Sequence, residues 1–182
     1  MKNYLLLFFL VYSVAGFGQA NYQAELNNLL TSLNELYRVN YGALPIAKKD
    51  ARVIYSAPMK ALVFFTPSGE RNGNDPQAIT QIQVVSISLK DLHYKSAGIK
   101  EVEGGYFVGI VSRKYLESFE MAVIDTQTRG LRAGPNFNFF GLQCKKPACH
   151  PFIQMIPAQI EALIRKFSPN ISPLEEVPNP FQ

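Results

Sequence analysis

Two stretches of helical periodicity bracket a long region of strand-like sequence, and this arrangement constrains the chain more than any other feature. Near the N-terminus, leucines fall at positions 26, 29, 30, 33 and 36, followed by Tyr37. That is the i, i+3, i+4, i+7 stripe of an amphipathic helix, here running from Asn21 to about Asn40. Gln23, Asn27, Asn28, Ser32 and Asn34 occupy the opposite side, and Gly42 and Pro45 stop the helix. Near the other end, Ile160, Leu163, Ile164 and Phe167 form a second stripe. Pro157 suits the first turn of that helix, with Glu161 early and Arg165 and Lys166 late, as the helix dipole favours.

Between the stripes the sequence reads as short strands separated by turn chemistry. RVIYSA (52–57) and ALVFFT (61–66) flank Ala57–Pro58 and predict a hairpin. ITQIQVVSISL (79–89) predicts a longer strand whose alternation changes phase at Val84–Val85, and a β-bulge there would reconcile its halves. A weaker extended segment covers 92–103, followed by YFVGIVS (106–112), FEMAVIDT (119–126) and NFNFFGL (136–142). The connections, including Gly104–Gly105 and TRGLRAGP (128–135), suit hairpins or loops.

Short links between consecutive strands imply antiparallel pairing, and two amphipathic helices must cover an apolar sheet face. The expected fold is therefore α+β. It comprises an N-terminal helix, about seven mostly antiparallel strands in a curved sheet or small barrel or roll, and a C-terminal helix. This order resembles that of pleckstrin-homology-like domains at the level of fold alone, and a cystatin-like curved sheet is the alternative.

The first residues, MKNYLLLFFLVYSVAGFGQA, have the charged, apolar and small-residue order of a secretory signal peptide. Their apolar run of about 14 residues falls short of the roughly 20 needed to span a bilayer. Cleavage is expected near Gly18, dividing the chain into a signal peptide (1–18), one domain (19–167) and a proline-rich extended tail (168–182). No cysteine lies near that junction to carry a lipid. The expected location is periplasmic or extracellular, with no transmembrane segment in the mature chain. Loss of Lys2 lowers the formal net charge from +4 to +3, too small and too evenly spread to argue for nucleic acid.

Compartment decides the reading of the only two cysteines, in GLQCKKPACHPF. A zinc site would need Cys144, Cys149, His150 and the distant His93, without the closely spaced ligand pairs such sites use. A redox pair would have C-x2-C at a helix start, whereas this chain has C-x4-C. Export favours a Cys144–Cys149 disulfide clipping the last strand to the last helix. No metal or other cofactor is implied.

No sequence motif marks a nucleophile elbow, a phosphate-binding loop, a metalloprotease helix or a dinucleotide site. No residue is assigned a catalytic role. The enzyme alternative would use His93 with Glu101 and Glu103, or the cysteines. The two glutamates would share one strand face about 7 Å apart, close enough for two-carboxylate glycoside chemistry. Asn72, Asn74 and Asp75 offer oxygens to calcium without the carboxylate spacing of a dedicated loop. Asn170–Ile171–Ser172 matches a glycosylation acceptor, followed unfavourably by Pro173.

Cations outnumber carboxylates between 113 and 146, and most sit in turns. Clustered at one sheet end, they would form a basic rim beside Phe137, Phe139 and Phe140. Arg129, Arg132, Lys145 and Lys146 are the candidate partner-binding residues. The expected function is thus an exported, non-catalytic binding or accessory module of the cell envelope or extracellular space. Its partner would be another envelope or extracellular protein or an anionic ligand, and an inhibitor-type protein is a further alternative.

Overall fold

The computed structural model describes residues 22–41, 51–68, 80–102, 105–112, 117–144 and 147–168, with side chains left aside for 93–102. The expected signal peptide, segment 69–79 with its calcium candidates, Glu103, Lys145, Lys146 and the expected tail from 169 lie outside these residues.

Helix α1 (Gln23–Tyr41) buries Leu26, Leu29, Leu33, Leu36 and Tyr37, the stripe read from the sequence. Strands β1 (Arg52–Ser56), β2 (Ala61–Ser68) and β3 (Gln81–Ser88) form a meander. A 3-10 turn, Leu89–Asp91, leads into β4 (Leu92–Val102), which pairs with β5 (Gly105–Ser112). The chain then returns with β6 (Glu120–Asp125), β7 (Leu131–Ala133) and β8 (Phe139–Cys144), and a second 3-10 turn opens helix α2 (His150–Phe167). The strands form two sheets, β1-β2-β3-β6-β7 and β4-β5-β8, antiparallel in every pairing.

The α+β class and its flanking helices match the sequence reading. The strands divide between two sheets, and of the curved sheet, roll or small barrel expected, the described strands close no barrel. Pairing of β3 with both neighbours runs without a register shift, so the bulge at Val84–Val85 does not occur. The phase change has a different cause: both faces of β3 carry apolar side chains. Val85 and Ile87 face the main core, while Ile82 and Val84 face away from it. The expected loop at 128–135 contains β7, too short to show an alternating pattern.

Helix α2 begins seven residues before Pro157, which lies inside it. Pro151 is the proline of the first turn, and Ile153 and Ile156 extend the stripe backwards onto the core. The core lies between the inner faces of the sheets and the two helices. Phe64 of β2 meets Phe140 of β8 at 4.9 Å between ring centroids, and Phe119 packs on both Phe137 and Phe140.

Three polar clasps fix the helices to this core. Asn34 of α1 accepts from the Val53 N–H at 2.9 Å and donates to the Val53 carbonyl at 2.8 Å, closing part of the free edge of β1. Tyr37 pairs its hydroxyl with Thr66 at 2.9 Å, and burial pushes its phenol pKa up. Lys166 at the end of α2 forms an ion pair with Glu25 at 2.5 Å, which holds the Glu25 carboxyl below the usual carboxylate range.

Candidate functional site

The turn joining β1 to β2, Ala57–Pro58–Met59–Lys60, contains neither glycine nor asparagine. Lys60 closes it with a bond from its N–H to the Ala57 carbonyl at 3.3 Å and adopts φ 48°. The left-handed region costs a side-chain-bearing residue roughly 1–2 kcal/mol. The conformation is held from outside: the Leu89 N–H donates to the Lys60 carbonyl at 2.9 Å, tying the turn to the end of β3.

Beside this turn lies a cleft of about 560 Å³. Pro58, Met59 and Lys60 form one wall, with Ala61, Ser86 and Ser88 from the adjoining sheet end. Lys90 and Asp91 come from the 3-10 turn, Ser118 and Glu120 from the approach to β6, and Phe167 from the end of α2. Register explains the grouping. Ala61 pairs with Ser88 and Ser86 with Glu120, so these four side chains share the sheet face turned away from the core. Ser86 Oγ lies 3.5 Å from Glu120 Oε2. Among the described residues, nothing pairs with the side chains of Lys60, Lys90, Asp91, Ser88 or Ser118. Among the described residues, two ammonium groups and two carboxylates therefore line the cleft, with zero net formal charge between them.

Sequence reasoning passed over this group because its members are spread from 58 to 167 and match no spaced motif. The available signal was the turn composition, a predicted hairpin turn lacking glycine and asparagine; that its left-handed position falls on lysine is visible only in the structure.

The cysteines do come together. Cys144 and Cys149 stand at disulfide distance with Cα atoms 6.1 Å apart, and both residues are fully buried. Asn40 of α1 donates to the Gln143 carbonyl at 2.6 Å, and its Oδ1 lies 3.7 Å from Cys149 Sγ. Burial separates this pair from thiol-exchange chemistry, which needs an accessible sulfur. His150, next in sequence, stacks on Tyr106 at 4.3 Å between centroids, with Nε2 2.7 Å from Gln154 Nε2.

Of the basic candidates, Arg129 and Arg132 occupy the β6–β7 hairpin, Arg129 at φ 57°. In that turn Asp125 accepts from the N–H groups of Thr128 and Gln127, which, with Arg132 nearby, hold its carboxyl below the usual range. Lys145 and Lys146 fall outside the described residues. The aromatic half of the expected rim turns inward, since Phe140 is buried and Phe137 stacks on the buried Phe119. Phe139 contacts Phe107 on the small sheet.

His93 and Glu101 lie eight positions apart on β4, and even with the register irregularity between Leu92 and Ala97 the backbone keeps them roughly 15–20 Å apart. Among the described residues no three His, Cys, Asp or Glu side chains converge as metal ligands would, and no described helix is long and apolar enough to cross a membrane. No protein-family model, curated protein or solved structure matches the chain.

Proposed function

We propose that this protein is an exported, non-catalytic binding module that takes a small polar ligand into the cleft between the β1–β2 turn, the end of β3 and the end of α2. The observation carrying this reading is the set of charged and hydroxyl side chains lining the cleft without partners among the described residues. Solvated charges on a flat surface need no explanation, but convergence around one concavity with an apolar wall is the usual form of a ligand site. Among the described residues, those lining the cleft include no histidine or cysteine, the residue types that most often act as base or nucleophile near neutral pH. Export is supported by the N-terminal apolar run and by a disulfide-distance cysteine pair, which persists in oxidising compartments.

Thermal unfolding of the purified protein in a library of polar small molecules tests the reading. A true ligand at about a hundredfold its Kd stabilises by about 2.7 kcal/mol and raises Tm by about 5–10 °C. Recovery of that ligand chemically unchanged after prolonged incubation is expected. Turnover of the ligand, or amide shifts mapping it away from the cleft, would refute the proposal.

A further inference from the structure

We infer that the cleft selects a neutral, polyhydroxylated ligand, a short saccharide, with the Lys60 ammonium as a recognition donor held in place by the strained turn. This rests on the reading of the cleft as a binding site and adds the class of ligand. Charge balance argues first. Among the described residues lining the cleft, Lys60 and Lys90 are matched by Asp91 and Glu120, so these carry no net charge to draw in a phosphate or a polyamine. Donors and acceptors are also interleaved. Ser86 faces Glu120 directly across two strands, and Ser88 lies two residues along the same face, roughly 7 Å away. A ring bearing several hydroxyls, each both donor and acceptor, can meet such a lining without presenting a bare charge to an unpaired one.

The remaining wall is apolar. Phe167 and the half-exposed Met59 offer a surface to the C–H face of a sugar ring, while the polar groups reach its hydroxyls. The volume, about 560 Å³, falls within the ordinary range for small-molecule sites of roughly 300–1,000 Å³.

The turn supplies an independent observation. Glycine or asparagine would relieve the backbone at φ 48°, yet the residue there is a lysine that lines the cleft. Strain retained at a concave site points to use of the side chain that causes it.

The test uses the full chain, labelled with nitrogen-15, titrated separately with maltose, cellobiose and N,N′-diacetylchitobiose. Glycylglycine, inorganic phosphate and spermidine serve as contrasting probes, each to about 10 mM, enough to fill a millimolar site. Saturable shifts of the Lys60, Ser88, Asp91 and Glu120 amides by at least one disaccharide are expected, with none from phosphate or spermidine. Lys60→Gly and Lys60→Asn, both suited to the left-handed turn, should weaken that binding at least tenfold, and Lys60→Arg should hold it within about threefold. Glycylglycine, phosphate or spermidine binding in the cleft without any disaccharide would overturn the ligand class while leaving the binding reading intact. Silence from every probe, or disaccharide binding indifferent to Lys60→Gly, would overturn the inference outright. Hydrolysis of a disaccharide would overturn the binding reading as well.

Discussion

Asn34 makes the most quantitative claim about how this fold is held. Its carboxamide meets the peptide groups of Val53 as a neighbouring strand would, accepting from the N–H at 2.9 Å and donating to the carbonyl at 2.8 Å. The same amide nitrogen also donates to the Leu30 carbonyl at 2.8 Å. Val53 is 2% exposed, so water has little access to either backbone group once the side chain is gone. Each backbone group left unsatisfied costs about 1–3 kcal/mol, and partial entry of water brings the pair toward the lower end. Asn34→Ala is therefore expected to lose about 2–4 kcal/mol, a large fraction of the usual 5–15.

Asn34→Asp separates the hydrogen bonds from simple packing. The carboxylate still accepts from the Val53 N–H, but its second oxygen replaces a donor that served two carbonyls. The ionised form should be as costly as alanine. The protonated form can donate again, so the introduced carboxyl should have a folded pKa above its unfolded value. Its contribution is then present below the unfolded pKa of about 3.9 and is lost as pH rises through the folded pKa. Urea unfolding followed by far-UV circular dichroism suits a chain without tryptophan. Unchanged m-values would show that stability alone has moved. An Asn34→Ala loss under about 0.5 kcal/mol, or an aspartate variant with no recovery at acid pH relative to the parent, would refute the clasp.

Two further outcomes follow from the helix–core connections. Replacing Cys144 and Cys149 together by alanine is expected to cost about 2 kcal/mol for a six-residue loop in the chain-entropy model, and a variant pair unfolding at the parental urea midpoint would refute the clip. The Glu25 carboxyl has a lowered folded pKa, chiefly through its bond from Lys166, so its stabilisation is present above the ordinary carboxylate value of 4.5 and is lost as pH falls below it. Lys166→Met should flatten the stability profile across that acid range, and an unaltered profile would show that the pair contributes nothing.

Elements whose one face meets the core were legible in the sequence. The stripes of α1 and α2 each announce a single buried side, and the structure uses them that way, while the Ala57–Pro58 hairpin was legible from its turn and its β-branched and aromatic flanks. The α2 start was misplaced because two prolines compete for the first-turn signal, and only the burial of Ile153 and Ile156 decides for Pro151. The cysteine pair was legible because five residues of separation and an export signal leave few arrangements. The cleft was not legible, since its walls are assembled by register between β2, β3 and β6 and by where α2 happens to end. Pairing register is a long-range property that local periodicity does not encode.

The outer face of the five-stranded sheet shows why the polar cleft sits where it does. Along β3 the outward positions read Ile82, Val84, Ser86, Ser88, changing from branched hydrocarbon to hydroxyl between the second and third. The partner on β6 changes in step: Ile124 lies opposite Ile82, Ala122 opposite Val84 and Glu120 opposite Ser86. On β2, Pro67 and Phe65 oppose the apolar end, Val63 opposes Ser86, and Ala61, the smallest side chain of that row, opposes Ser88. Two strands, β3 and β6, thus change character at the same height, while the facing row of β2 stays apolar and narrows to alanine. The small Ala61 leaves room, the serines and Glu120 supply polarity, and the strained turn brings Lys60 over the gap. If the polar end were merely solvated surface, Ser88→Val would extend the apolar face at little cost. If it is a site, that variant should fold normally and fail to bind.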